Sequence, residues 1–198
     1  MYTVIGAIAS RALRVIWMLE ELEQPYELIQ AAPRSPEITE HNPDGKVPAL
    51  IVDGTTLLDS VAIIQFLADR HNALTYPAGT LERAKQDSLT QFCIDEVEGA
   101  LWTAAKNTFV HPEEHQTRAV KETCRYEFKM AMERLERRLG DGPFVMGETM
   151  TVPDILFGHC AGWARAAKFD LPEGPVGDYF NMLVSRPAFR RVNALRKA

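Results

Sequence analysis

Twelve consecutive residues constrain this chain more than any others: Val47-Pro-Ala-Leu-Ile-Val52, then Asp53-Gly54, then Thr55-Thr-Leu-Leu58. Two apolar runs joined by Asp-Gly predict a tight antiparallel hairpin, because both turn residues must take positive φ. Pro48 has no N–H to give to a ladder, so it belongs at the start of the first strand. Whatever precedes this hairpin must join a sheet that already contains an antiparallel pair.

The segment before it alternates. Thr3-Val4-Ile5-Gly6 is a short apolar run and predicts a buried strand. Ala12, Val15, Ile16, Leu19 and Leu22 then recur at helical spacing, which puts Ser10 near the N-cap of a helix that Gln24-Pro25 ends. Tyr26, Leu28 and Gln30 alternate as a strand does, and Ser35-Pro36 can open one short helix. After the hairpin, Asp59-Ser60 opens a helix with Val61, Ile64, Leu67 and Ala68 on its apolar face. The expected order is β-α-β-(short α)-β-β-α, a small α/β domain over residues 1–76.

Beyond residue 80 strand-like alternation stops. A helical stretch is expected over residues 81–110, ended by His111-Pro112, and a second over 113–139, ended by Gly140-Asp-Gly-Pro143. Thr151-Val-Pro-Asp154 opens a third with a capping pair, Thr151 and Asp154, assigned a structural role. Shorter helices are expected near residues 177–185 and 188–197. The fold class is thus α/β followed by all-α, with a linker at 77–83 and a helical domain over 84–198.

Charge separates the halves. Residues 1–76 carry five Lys/Arg against ten Asp/Glu, whereas the rest carries seventeen of each, which suits two domains with different work. The resulting net charge of −5 argues against nucleic acid as a partner. Apolar runs fall short of the roughly 18 residues a membrane span needs. Ala7-Ile8-Ala9 looks like a cleavage site but lacks a basic stretch before it, so no signal peptide is expected. Cys93, Cys124 and Cys160 are sparse and odd in number, which suits reduced thiols in a cytoplasm.

Three features point to chemistry. Ser10 follows the first strand, Lys46-Val47-Pro48 precedes the hairpin, and Asp59-Ser60 sits at a helix N-terminus. Unpaired amides and a positive partial charge make Ser60 a carboxylate site. Lys46 can add a cation, and Asp59 can take an ammonium. A cis Pro48 would turn the Val47 backbone toward solvent, where it could pair with a peptide-like ligand. The matching ligand is a small extended zwitterion with separate carboxylates.

Asn42-Pro-Asp-Gly-Lys-Val-Pro-Ala-Leu50, Leu58-Asp-Ser-Val-Ala-Ile63 and Thr151-Val-Pro-Asp-Ile155, in this order, resemble signatures of the cytosolic glutathione S-transferases. The resemblance covers nearly the whole chain. It implies a thioredoxin-like N-terminal domain that binds glutathione at Lys46, Val47, Pro48, Asp59 and Ser60, and an all-helical domain that binds a small hydrophobic electrophile. Because Ser10-Arg-Ala-Leu-Arg14 resembles the serine-type branches, it implies Ser10 as the catalytic hydroxyl. It further implies a cytoplasmic homodimer with glutathione as co-substrate and no metal. A non-catalytic module that keeps the tripeptide pocket, and a glutathione-dependent isomerase or dehalogenase, remain open as alternatives.

Other motifs carry blander readings. His111-Pro-Glu-Glu-His115 matches a zinc pattern, but Pro112 keeps the histidines off one helix. Trp102 and Trp163 are candidates for the electrophile pocket. Arg186, Arg190, Arg191, Arg196 and Lys197 read as a solvated basic face.

Overall fold

The structure, a computed structural model, describes residues 1–197, the last of them by its backbone alone, so the side chain of Lys197 lies outside the described residues. It divides into two compact units, Met1–Pro77 with the segment from Val184 onward, and Ala78–Leu183.

The first unit is built on a four-stranded sheet. Strands β1 (Tyr2–Ile5), β2 (Tyr26–Ile29), β3 (Ala49–Val52) and β4 (Thr55–Leu58) lie in the order β2-β1-β3-β4. β1 is parallel to β2 and antiparallel to β3, and β3 and β4 form the hairpin. Asp53 (φ 51°) and Gly54 (φ 77°) supply its two positive-φ turn residues.

Strand alternation sorts the core onto two faces. Ile5 and Ala49 cluster with Ala31 and with Ile38 of helix α2 (Pro36–Thr39). Val4 and Leu50, their neighbours in register, are also fully buried and point to the opposite face. Helix α1 (Ala12–Glu21) and helix α3 (Ser60–His71) pack on each other. α3 buries Ile63, Ile64, Leu67 and Ala68; Val61, expected in that stripe, is only half-buried, and Ile63 takes its place.

The basic C-terminal residues are not simply a solvated face. Helix α9 (Pro187–Ala194) packs on α1, its Phe189 meeting the buried Trp17 edge-on at 4.7 Å. Arg186 donates to both oxygens of Glu21 at 2.7 Å each, and Trp17 Nε1 donates to Glu21 Oε1 at 2.9 Å. Arg191 donates to Glu20 at 2.5 Å. This docking groups the C-terminal segment with the sheet, whereas the sequence boundaries end that domain at residue 76. The Glu21 side chain is only 7% exposed, so its loss takes a buried acceptor from both donors. Glu21→Ala is expected to cost about 2–3 kcal/mol in urea unfolding, against little change for the exposed Glu82→Ala.

The second unit is helical. α4 (Leu81–Phe92) and α5 (Gly99–Ala105) join through a π-helical turn, Cys93–Glu98, and a second one, Lys106–Val110, completes the expected stretch. α6 (Val120–Arg138) begins seven residues later than the periodicity suggests. Instead, Gln116 Nε2 bonds the His111 carbonyl at 2.9 Å and the Thr117 N–H bonds Asn107 Oδ1 at 3.1 Å, holding residues 111–117 back on the preceding helix. Only the turn Glu113–His115 is helical there, so His111 and His115 do not share a helix. α7 (Val152–Ala166) and α8 (Pro175–Ser185) follow. Among the described residues, no helix is long and apolar enough to cross a membrane.

Candidate functional site

The sheet register gathers the sequence candidates at one edge. Ile5 pairs with Ala49, and Ala49 pairs with Leu58. The residues just beyond those three positions, Gly6 after β1, Pro48 before β3 and Asp59 after β4, therefore leave the sheet at the same end. Gly6 makes the close approach possible: a Cβ there would lie 2.8 Å from Ala12 Cβ and 3.4 Å from Val47 Cβ. Gly6→Val is therefore expected to displace α1 from Val47 and to lower Tm by about 3 °C or more, read by circular dichroism (about 1 kcal/mol or more).

Ser10 is half-buried in the turn that leads into α1. The N-cap position is Arg11, not Ser10, yet the Ser10 hydroxyl still serves the helix start, accepting from the Ala12 N–H at 3.1 Å. It donates its own proton to the Ala7 carbonyl at 2.6 Å. To reach a ligand anion it must give up that neutral bond.

The Val47–Pro48 peptide bond is cis. Val47 is half-buried, and among the described residues its N–H and C=O take no hydrogen bond within the chain. Lys46 beside it is exposed, and its carbonyl accepts from Asn42 Nδ2 at 2.9 Å, which ties down the loop. Asn42 is itself buried, a positioning side chain that sequence reasoning placed in a motif without a role.

Asp59 caps α3 with φ at 69°, its Oδ1 accepting from the N–H groups of Val61 (2.8 Å) and Ala62 (3.1 Å). Oδ2 is left for an ammonium. Ser60 is buried, and its Oγ accepts from Arg14 Nη1 at 3.2 Å. Its proton has no acceptor among the described residues. These atoms suit a small zwitterionic peptide: a free carboxylate oxygen beside an unused buried hydroxyl proton matches an α-amino acid end, and the open Val47 backbone matches a peptide link. Arg14 was missed. Its signal was a charge amid the apolar run Leu13 to Leu19, where burial needs a hydrogen-bonding reason.

The remaining candidates lie elsewhere. Trp102 and Trp163, both half-buried in the helical unit, meet edge-on at 6.4 Å, with His159 6.1 Å from Trp163. Thr151 and Asp154 form the expected capping box at the start of α7. Tyr2 sits at the opposite end of β1, its hydroxyl 2.8 Å from His71 Nε2. None of the three cysteines forms a disulfide, and all are buried outside the loop that bears Ser10.

Known proteins resemble this chain over most of its length. Residues 10–70 match the family described as "Glutathione S-transferase, N-terminal domain", and residues 113–198 match "Glutathione S-transferase, C-terminal domain". Glutathione S-transferase U8 of Arabidopsis thaliana is 30% identical over 166 residues, covering 80% of this chain and 68% of that protein. Glutathione S-transferase GstA of Escherichia coli O157:H7 is 28% identical over 151 residues, covering 74% of this chain and 71% of its own length. A solved structure of glutathione transferase URE2P6 from Phanerochaete chrysosporium, in complex with oxidized glutathione, has a TM-score of 0.82 at 27% identity and covers 99% of this chain and 96% of its own.

Proposed function

The chain belongs to the glutathione S-transferase family, and from that premise we propose how its own residues carry the family's reaction. The enzyme holds glutathione, converts the thiol to thiolate, and adds it to a small hydrophobic electrophile. The observation that carries this reading is the convergence of the Ser10 turn, the Val47–Pro48 bond and the α3 N-terminus on one sheet edge.

Asp59 Oδ2 takes the ammonium and the Ser60 hydroxyl takes the adjacent carboxylate, assisted by the α3 N-terminal field. Val47 pairs its N–H and C=O with the peptide backbone in the strand-addition manner, and Lys46 faces the second carboxylate. Pro48 sets the course of the chain at this point.

Ser10 acts on sulfur. A thiol of pKa about 8.5 is only about 3% thiolate at pH 7, and a drop of about two units raises this to roughly 75% at a stabilisation of about 2.7 kcal/mol. Leaving Ala7 costs the hydroxyl a neutral bond of about 0.5–1.5 kcal/mol, while a bond to an anion returns about 1.5–3 kcal/mol. The proton therefore turns to the thiolate, and the N-terminal field of α1 supplies most of the remainder. The electrophile is assigned to the helical unit, with Trp102 and Trp163 as its aromatic wall. A homodimer follows from the family resemblance, and a reducing cytoplasm suits three cysteines outside any disulfide and a thiol substrate.

The test is glutathione-dependent conjugation of a chlorodinitrobenzene, with binding followed by calorimetry. Turnover with saturable glutathione dependence is expected; binding without turnover would leave a non-catalytic module. Ser60→Ala is expected to weaken glutathione about 10-fold, with kcat at saturating glutathione nearly unchanged, because the bond is made equally in ground and transition states.

A further inference from the structure

We infer that Arg14 is a positioning residue that sets the direction of the Ser60 hydroxyl and so prepares it to receive a carboxylate, an inference that rests on the glutathione reading above. Arg14 is 1% exposed on α1, Ser60 is 3% exposed at the start of α3, and Nη1 lies 3.2 Å from Oγ. A guanidinium has donors and no acceptor, so Ser60 can only accept from it. With one lone pair committed to Arg14, the Ser60 hydroxyl keeps its proton for an acceptor. That proton has no other acceptor among the described residues.

The arrangement selects for an acceptor. A cationic donor would find only the second lone pair with a permanent cation one bond behind it, whereas a carboxylate finds a free proton and that same cation. Asp59 beside it keeps Oδ2 for a positive group, so the adjoining pair reads an α-ammonium together with an α-carboxylate. Arg14 touches neither. It acts through Ser60.

A double-mutant cycle tests this on the full-length enzyme, with glutathione affinity from calorimetry and kcat from conjugation at saturating glutathione. Ser60→Ala and Arg14→Gln are each expected to weaken glutathione about 10-fold, and the double variant to be no weaker than about 20-fold, since the second change removes a partner already lost. Arg14→Lys keeps a donor toward Ser60 and is expected to recover binding to within about 3-fold of wild type. A merely structural arginine would give losses that multiply to about 100-fold, no rescue by lysine, or a fall in kcat, and any of these overturns the inference. Should Arg14→Gln fail to fold, the same cycle with Arg14→Lys and Arg14→Met decides it, the lysine binding and the methionine not. If Ser60→Ala weakens glutathione while Arg14→Gln does not, the positioning role fails and the glutathione site stands. If the wild type itself does not bind glutathione, both fall.

Discussion

Replacing Asp154 with alanine is expected to lower the free energy of unfolding by about 3–5 kcal/mol, the largest stability loss among the changes considered for this chain. The carboxylate is fully buried and accepts four hydrogen bonds. Oδ2 takes the Thr151 N–H (2.7 Å) and hydroxyl (3.1 Å), and Oδ1 takes the Val145 N–H (3.1 Å) and the Tyr179 hydroxyl (2.8 Å). It thus joins the α7 cap, the loop before it and α8 through one side chain. Alanine leaves four buried donors without an acceptor, each costing about 1–3 kcal/mol less whatever relaxation recovers. Asparagine keeps one oxygen and is expected to cost about half as much. Urea denaturation followed by far-ultraviolet circular dichroism measures both, and a loss below about 1 kcal/mol for alanine would refute the account.

The pH dependence of this residue has a definite sign. Burial raises the Asp154 carboxyl above its ordinary value, against the pull of the hydrogen bonds from Thr151, Val145 and Tyr179. The folded chain then holds the proton more tightly than the unfolded chain, so this residue's contribution falls as pH rises from about 3.9 through the raised value and is level above it. Asp154 accordingly does not drive acid unfolding. The stability gap between wild type and Asp154→Asn is expected to widen as pH falls through that window.

Removing the Ser10 hydroxyl is expected to have the largest effect on turnover. Ser10→Ala removes a net stabilisation of the thiolate of about 1–2 kcal/mol, so the apparent pKa governing kcat/KM is expected to rise by about one unit. At pH 6.5 the fall is about 5-fold, and above pH 8.5 it nearly disappears, because solvent then removes the proton unaided. Glutathione affinity is expected to change little. The same substitution also deprives Ala12 of its hydrogen-bond acceptor, a loss of about 1 kcal/mol in stability that is separable by measuring Tm. A pH profile superimposable on the wild type would remove Ser10 from the chemistry.

Much of the site was legible in the chain because its parts are local. Asp-Gly imposes a turn on two residues, Asp59 caps the amides two and three positions ahead of it, and Thr151 and Asp154 close their box within one turn. What escaped the sequence involves partners far apart in the chain. Nothing near Arg14 announces Ser60, 46 residues away, and nothing near Glu21 announces Arg186, 165 residues away. The resting partner of the Ser10 proton was not legible for a different reason: Ser10 and Ala7 are close enough for a turn to satisfy the hydroxyl internally, which the helical pattern beginning at Ala12 does not reveal.

The amino acids by themselves determined the alternation of elements before residue 80, the helical character after it, and the residue types able to hold a zwitterionic peptide, because propensity, capping and turn chemistry act over a few residues. Tertiary structure alone decided that three loops end at one sheet edge, that a buried arginine stands behind Ser60, and that the C-terminal helix returns to the first. Those outcomes depend on strand register and helix packing, which bring together groups whose separation along the chain carries no information about their distance in space.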